Sequence, residues 1–481
     1  MNYKMIRFLL SRVLQITGIL MMLPLIVAII YKEYGCARMF FLLIMACLAV
    51  GSIGAHFKPK NVAIYAREGF VSTALTWILI SMIGGLPFVL SGVTDSYVDA
   101  VFETISGFTT TGSTILTSVE MYYSVQFWRT FTHWVGGMGV LVFILAIMPM
   151  GGGYSMHLMR AESPGPSVGK IVPRVRDTAK ILYLIYIGIT VTQIILLMIT
   201  GLNPYQAMTT TFATVGTGGF GITNSGANDF STASQIVITI FMIMCGINFN
   251  VYYYLITLRP KEAIKSDEVK LYLALMFGSA SLIAFMIYRN GVTTTPFESF
   301  HHSLFTVASV MTTTGFATLD FNQWPQLCKT LLACLMLLGA CAGSTGGGFK
   351  LSRFVILIRA LKNELIYIVH PKSVKKVYMD GHPIDSTVVK SVSAYLSMYV
   401  VIFIISILLI SFDEFDYETN FTAVAATLNN IGPGLGMVGP TGNFSAYSDL
   451  SKIVLMFDML AGRLELLPML ILLSPRTWAK R

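Results

Sequence analysis

The sequence predicts an all-α polytopic membrane protein: an amino-terminal helical hairpin, then four repeats of helix, half-helix, turn and helix around one axis. Three observations carry this. The 481 residues are 54% hydrophobic and only 12% charged, against about 25% charged in an average soluble domain. Apolar runs long enough to cross a hydrocarbon core recur along the whole chain. Between them lie four short semi-apolar stretches that end in similar glycine-bearing turns. A soluble globular fold is excluded, because so few charges cannot cover a water-facing surface of this size.

Runs of about 20 residues, the length a bilayer core requires, fall near 13–30, 39–56, 71–90, 130–149, 181–201, 235–256, 271–288, 330–358, 391–411 and 453–473. Ten crossings are expected. The first follows Arg7 and Arg12 as a secretory signal would, but it lacks a small-residue cleavage site and a second apolar run follows at once. The pair should therefore remain as a hairpin over 1–60. The repeats then divide as 61–155, 156–262, 263–362 and 363–481.

The net charge is +9 at pH 7. With the amino terminus inside, inner segments hold 25 of the 33 Lys and Arg residues, so both termini are expected in the cytoplasm. That distribution accounts for the charge, and no nucleic-acid partner is expected. The outer side carries 13 acids, among them Glu33, Asp99, Glu103, Asp320, Asp416 and Glu418, against six bases. Two readings are open: a field that concentrates cations at an outer mouth, or a solvated rim. Six cysteines without a CxxC pair indicate neither a disulfide framework nor a zinc site.

The semi-apolar stretches 98–112, 205–219, 301–315 and 418–432 each offer about 12 helical residues, or about 18 Å, too short to cross and suited to re-entrant half-helices. Their turns align on one glycine: Ser106-Gly-Phe-Thr-Thr-Thr-Gly112, Ala213-Thr-Val-Gly-Thr-Gly-Gly219, Ser309-Val-Met-Thr-Thr-Thr-Gly315 and Ala426-Thr-Leu-Asn-Asn-Ile-Gly432. The glycines are 107, 96 and 117 residues apart, the mark of an internal repeat.

Non-helical backbone at membrane depth is tolerated only where it lines a cavity or is buried in protein. Four such turns around one axis predict a central pore. Removing the water of a monovalent cation costs tens of kcal/mol in an apolar medium, and main-chain carbonyls can return oxygen ligands without fixed charge. The candidate ion-binding residues are Thr110, Thr111, Gly112, Thr217, Gly218, Gly219, Thr313, Thr314, Gly315, Asn430, Ile431 and Gly432. A monovalent cation would be the transported substrate, held by the turn carbonyls.

Two features interrupt the following helices. The run 330–358 has five glycines within 339–348, each costing about 1 kcal/mol in a helix relative to alanine. An intramembrane loop over 339–349 is expected, the alternative being a kink at a close-packed crossing. Arg463 falls midway through 453–473, where a charge costs about 2.5 to 3.5 kcal/mol on insertion scales. Neither Asp458 nor Glu465 has the i±3 or i±4 spacing that pairs on one helix. Arg463 is then either a pore-facing charge or the partner of an acid on another helix. In the first case it forms a gate with Gly343, Ser344, Thr345, Gly346, Gly347, Gly348 and Lys350.

Other motifs are weaker. Gly434-Leu-Gly-Met-Val-Gly439 matches GxGxxG without a surrounding βα unit and is expected to be the exit of the fourth turn. His301-His302 has no acid or cysteine spacing that completes a metal site. No nucleophile elbow is present. No enzymatic activity and no cofactor in this chain are expected.

The turns resemble those of the TrkH-type subunits of bacterial potassium uptake systems, in the superfamily that holds the Ktr membrane subunits and plant HKT transporters. So do Trp128-Arg-Thr-Phe-Thr-His-Trp-Val-Gly-Gly-Met-Gly139, Ala161-Glu-Ser-Pro-Gly-Pro166, Cys341-Ala-Gly-Ser-Thr-Gly-Gly-Gly-Phe-Lys350 and Asn429-Asn-Ile-Gly-Pro-Gly434. The resemblance spans essentially the full chain, and the amino-terminal hairpin favours the TrkH branch. It implies a potassium-selective filter at Gly112, Gly219, Gly315 and Gly432, with Gly112 rather than Ser arguing against sodium. It also implies a homodimer in the bacterial cytoplasmic (inner) membrane. A cytoplasmic ring of TrkA-type RCK regulatory subunits would control the loop and arginine gate, with nucleotide bound on that partner. The basic loops 150–180 and 359–390 would dock there. The unequal second and fourth turns depart from fourfold symmetry. The implied function is potassium uptake through a gated pore; the alternative is a proton- or sodium-coupled symporter, for which only Asp458 and Glu465 stand out as buried acids on crossing helices.

Overall fold

The computed structural model describes residues 1–57, 59, 65–139, 175–224, 226–373 and 375–479. Helices α1 (Tyr3–Leu20) and α2 (Met22–Ile30) form one arm of the amino-terminal hairpin and α3 (Tyr34–His56) the other. The arms close at small residues: a Cβ on Gly54 would fall 2.1 Å from Ser11 Oγ, and one on Gly51 2.6 Å from Gln15 Cγ.

The first repeat is α4 (Ala66–Leu90), half-helix α5 (Tyr97–Phe108) and α6 (Tyr123–Gly137). The second is α7 (Val175–Ile199), half-helix α8 (Pro204–Val215), α9 (Thr232–Cys245) and α10 (Phe249–Ile256), followed by the short α11 (Pro260–Ile264). The third is α12 (Asp267–Arg289), half-helix α13 (Pro296–Met311), α14 (Gln326–Met336) and α15 (Leu351–Val369). A two-stranded hairpin, β1 (Tyr378–Met379) and β2 (His382–Pro383), precedes the fourth. That repeat is α16 (Ser386–Ile410), half-helix α17 (Tyr417–Leu428), α18 (Asp449–Arg463) and α19 (Leu467–Leu473), with α20 (Pro475–Trp478) at the end.

Each half-helix begins at a side-chain cap. Ser96 Oγ accepts from Asp99 N (3.3 Å), Asn203 Oδ1 from Gln206 N (2.8 Å), Thr295 Oγ1 from Glu298 N (3.2 Å) and Asp416 Oδ2 from Thr419 N (3.2 Å). Such caps satisfy amides that a short helix otherwise leaves open. The core forms two main bodies, one joining the hairpin to repeats 1 and 4, the other joining repeats 2 and 3. Large apolar side chains such as Phe41, Leu184, Ile199 and Leu408 are exposed on the outside, as the surface of a multi-pass membrane protein requires.

The ten expected crossings are not ten continuous helices. Among the described residues six helical segments are long and apolar enough to cross: Tyr3–Ile30, Tyr34–His56, Ala66–Leu90, Ala179–Ile199, Asp267–Arg289 and Ser386–Asp413. The other four are the second helices of the repeats. α6 stops at Gly137, and the remainder of 130–149 falls at or beyond the edge of the described residues. α9 and α10 meet at 93°. The run 330–358 divides into α14 and α15 around non-helical 337–350, and 453–473 divides into α18 and α19. In the last case Pro468, with no N–H and a ring that clashes with the carbonyl four residues back, ends the helix at Arg463. Glu465 and Leu466 take φ of 56° and 66° there. Arg463 is therefore the last residue of a helix, not the middle of one. The 161–166 motif, most of the 150–180 loop, and Lys58, Lys60, Lys480 and Arg481 lie outside the described residues.

Candidate functional site

The four turns share one backbone pattern. Thr110, Thr217, Thr313 and Asn430 have φ of 56°, 55°, 57° and 56°, and the glycines two residues later, Gly112, Gly219, Gly315 and Gly432, have φ of 83°, 73°, 85° and 105°. They also touch in sequence around a circle. A Cβ on Gly112 would fall 2.0 Å from Gly218 O, one on Gly219 1.9 Å from Thr314 O, one on Gly315 2.2 Å from Ile431 O, and one on Gly432 2.8 Å from Thr111 O. Each glycine thus abuts the carbonyl just before the next turn's glycine, and the fourth turn closes on the first. Side chains are barred at these positions twice over, by φ and by space.

Hydrogen bonds stitch the outer strands of the ring in the same order. Val119 N donates to Asn224 Oδ1 (2.9 Å), and Ala227 N to Ala317 O (3.2 Å). Gly436 N donates to Asn322 Oδ1 (3.0 Å), Phe444 N to Thr114 O (2.8 Å) and Ser113 Oγ to Gly432 O (3.0 Å). Above the ring lies a cavity of about 540 Å³, lined by all four glycines and by Asp320. Gly439, at the exit of the fourth turn, lines it as well.

The acids expected on the outer side mostly serve the fold; of those named, Asp320 alone lines this cavity. Glu103 and Arg129 form a buried ion pair at 2.6 Å. Asp99 pairs with Lys452 (2.6 Å) and Glu418 with Lys329 (3.1 Å). Glu33 accepts from Tyr123 N (2.6 Å) and Ser124 N (3.0 Å) at the start of α6, which ties the amino-terminal hairpin to the first repeat. At the start of α17 the Thr419 hydroxyl holds the Asp416 carboxyl below its usual range.

Two residues four apart on α6 prop the ring from behind. Arg129 donates to Gly221 O (3.0 Å) and stands 3.7 Å from the Phe220 ring centre, so it is a buried support rather than an outer base. His133 Nδ1 lies 2.7 Å from Gly107 O, and its Nε2 lies 3.3 Å from Phe220 N. A carbonyl can only accept and an amide N–H can only donate. The ring is therefore held neutral with its proton on Nδ1, bridging half-helix α5 to the second turn. Neither role was read from the sequence; the signal was Arg129 and His133 at i, i+4 in a helix with no other charged or titratable base.

Beneath the ring the carboxyl ends of four half-helices converge, each a partial negative pole. The Arg463 guanidinium lies at this level, donating to Thr110 Oγ1 (3.1 Å), Thr345 O (2.9 Å), Gly136 O (2.5 Å) and Gly137 O (2.8 Å). These partners are one turn of the ring, the 343–348 segment and the end of α6. Glu465 pairs with Arg353 instead, and Asp458 accepts from Ser406 Oγ (2.7 Å). The segment around Gly343, Ser344, Thr345, Gly346, Gly347 and Gly348 is a loop, not a kink, and it lies under the third and fourth turns. Gly347 N donates to Thr313 Oγ1 (2.6 Å), and a Cβ on Gly347 would fall 2.6 Å from Asn429 O. Thr345 Oγ1 donates to Cys245 O (3.2 Å), at the break between α9 and α10. Lys350 Nζ folds back onto Gly346 O and Gly347 O. Buried Glu68, Glu103 and Glu268 join Asp458 and Glu465 as acids within the fold. His301 and His302 bond to Gln235 (2.8 Å) and Thr318 (2.9 Å).

Half-helices that descend from one side, meet at a ring of main-chain turns and stand over a loop and an arginine define a polytopic membrane protein built around an axial site. The comparisons agree with that class. The chain belongs to the TrkH family, described as cation transport proteins, which matches residues 37–480. It is 34% identical over 465 residues, 95% of each chain, to the Trk system potassium uptake protein TrkH of Escherichia coli K12. It is 32% identical over 487 residues, 99% of this chain and 100% of the other, to the protein of the same name from Vibrio parahaemolyticus. The crystal structure of the potassium transporter TrkH from Vibrio parahaemolyticus superposes with a TM-score of 0.89 at 30% identity, covering 100% of both chains.

Proposed function

We propose that this chain carries out potassium uptake, letting potassium pass down its gradient through the ring of four turns. The supporting observation is the closed cycle of glycine-to-carbonyl contacts, which sets main-chain oxygens from four repeats around one axis. Oxygen ligands from backbone offset the loss of an ion's water without a fixed anion that would trap it. The relatives named above are potassium uptake proteins, which supports the choice of ion. Coupled symport is not favoured by these relatives, whose names give potassium uptake alone.

In this reading Gly112, Gly219, Gly315 and Gly432 with their preceding residues are the filter, and the 343–348 loop with Arg463 is the gate. A positive charge under the ring repels a cation, and a loop seated there blocks its path. The protein sits in the bacterial cytoplasmic membrane with both termini inside. It works as a homodimer with a cytoplasmic TrkA-type ring that binds the regulatory nucleotide and meets the basic 359–390 segment. The experiment is growth of a strain lacking potassium uptake on limiting potassium, with and without an RCK partner. Rescue is expected, and full when the partner is present. A well-expressed chain that never rescues, or rescue that follows the proton gradient at constant potassium gradient, overturns the reading.

A further inference from the structure

Asp267 and Glu268 stand side by side in the first turn of α12, and each holds something different. First-turn acids ordinarily serve their own helix's open amides, but Ser266 already caps α12, its Oγ accepting from Val269 N (3.5 Å). Both carboxylates are thereby left for other segments. Glu268 is buried, and its Oε1 accepts from Ala342 N (2.7 Å) and from Ser352 N (2.8 Å). Residues 342 and 352 bracket the intramembrane loop, so one carboxylate oxygen ties its two ends together. Hydrogen bonds to an ionised acceptor are about twice as strong as neutral ones.

Asp267 grips the β1–β2 hairpin. Its N–H donates to Asp380 Oδ1 (2.7 Å), and Asp380 N donates back to Asp267 Oδ2 (3.2 Å). Arg359 Nη1 lies 2.8 Å from Asp267 Oδ2 and 2.7 Å from Tyr378 O. The hairpin tip, Asp380 and Gly381 with φ of 52° and 81°, is a tight turn that joins the two paired strands. One rigid helix end therefore joins an exposed hairpin to both ends of the buried loop.

We propose that Glu268 is the positioning residue that holds the loop closed, and that the Asp267–Asp380 tie makes the hairpin the handle by which a force on the hairpin loosens the loop. The proposal rests on the reading of the loop as a gate. Its test is rubidium uptake into proteoliposomes, normalised to folded protein, together with amide exchange of 343–350. E268A should raise basal flux about tenfold, equal to about 1.4 kcal/mol in the opening equilibrium. It should speed exchange in the loop while α4 and α16 stay protected. E268Q keeps an acceptor oxygen and should fall between. D380A, an exposed change that leaves the core intact, should also speed loop exchange. If R463A raises flux while E268A and E268Q do not, or if D380A leaves loop exchange as it was, the proposal is overturned and the gate stands. If R463A raises nothing either, the gate reading falls and takes the proposal with it.

Discussion

Replacing Arg463 with alanine removes at least four hydrogen bonds, those to Thr110, Thr345, Gly136 and Gly137, and one positive charge from beneath the ring. Of the four, the 2.9 Å bond to Thr345 O joins the arginine to the loop. A hydrogen bond from a charged donor contributes about 1.5 to 3 kcal/mol, and each 1.4 kcal/mol is about tenfold in an equilibrium constant. Loss of that bond alone should multiply the open-to-closed ratio by about 10 to 150. The charge adds in the same direction: a cation about 6 Å away at an effective dielectric of about 20 is repelled by about 3 kcal/mol. Basal rubidium uptake by R463A proteoliposomes should therefore exceed wild type by at least tenfold. R463K keeps the charge but lacks the planar fork that reaches several carbonyls at once, so it should lie between. Monodisperse R463A whose uptake equals or falls below wild type would refute the reasoning, because neither the bond nor the charge would then oppose permeation.

Gly112→Ser places a Cβ 2.0 Å from Gly218 O at a φ of 83°, so the ring must spread at that corner; the ratio of rubidium to sodium uptake should drop on the order of tenfold, given strain of about 1 to 3 kcal/mol. An unchanged ratio in active protein would show that this corner does not set selectivity. Glu103→Ala leaves Arg129 buried without its partner, which costs about 3 to 5 kcal/mol and should appear as a lower melting temperature. E103Q with R129M should recover part of the loss, and a single variant as stable as wild type would deny the pair its supporting role.

Much of this architecture is local along the chain and was legible there. Composition marked the membrane, the spacing of Gly112, Gly219, Gly315 and Gly432 marked the repeats, and five glycines in ten residues marked a segment that could not stay helical. The half-helices were legible as short semi-apolar stretches, but their caps were not read, and the third begins at Pro296, five residues before the expected 301, because Thr295 caps it there. The break at Pro468 was not read, because the apolar run around it masked it and placed Arg463 mid-helix. What hydropathy and spacing do not encode is which distant group meets which. Thr110 and Arg463 are 353 residues apart, and Ala342 and Glu268 are 74 apart. By its position in the sequence Glu103 belongs with the rim acids, yet in the fold it pairs with Arg129 in the interior. A buried polar group must find a partner or cost several kcal/mol, but folding alone settles which partner is within reach. The closure of the ring, the neighbours of Arg463 and the fate of the acids were set by three-dimensional packing for that reason.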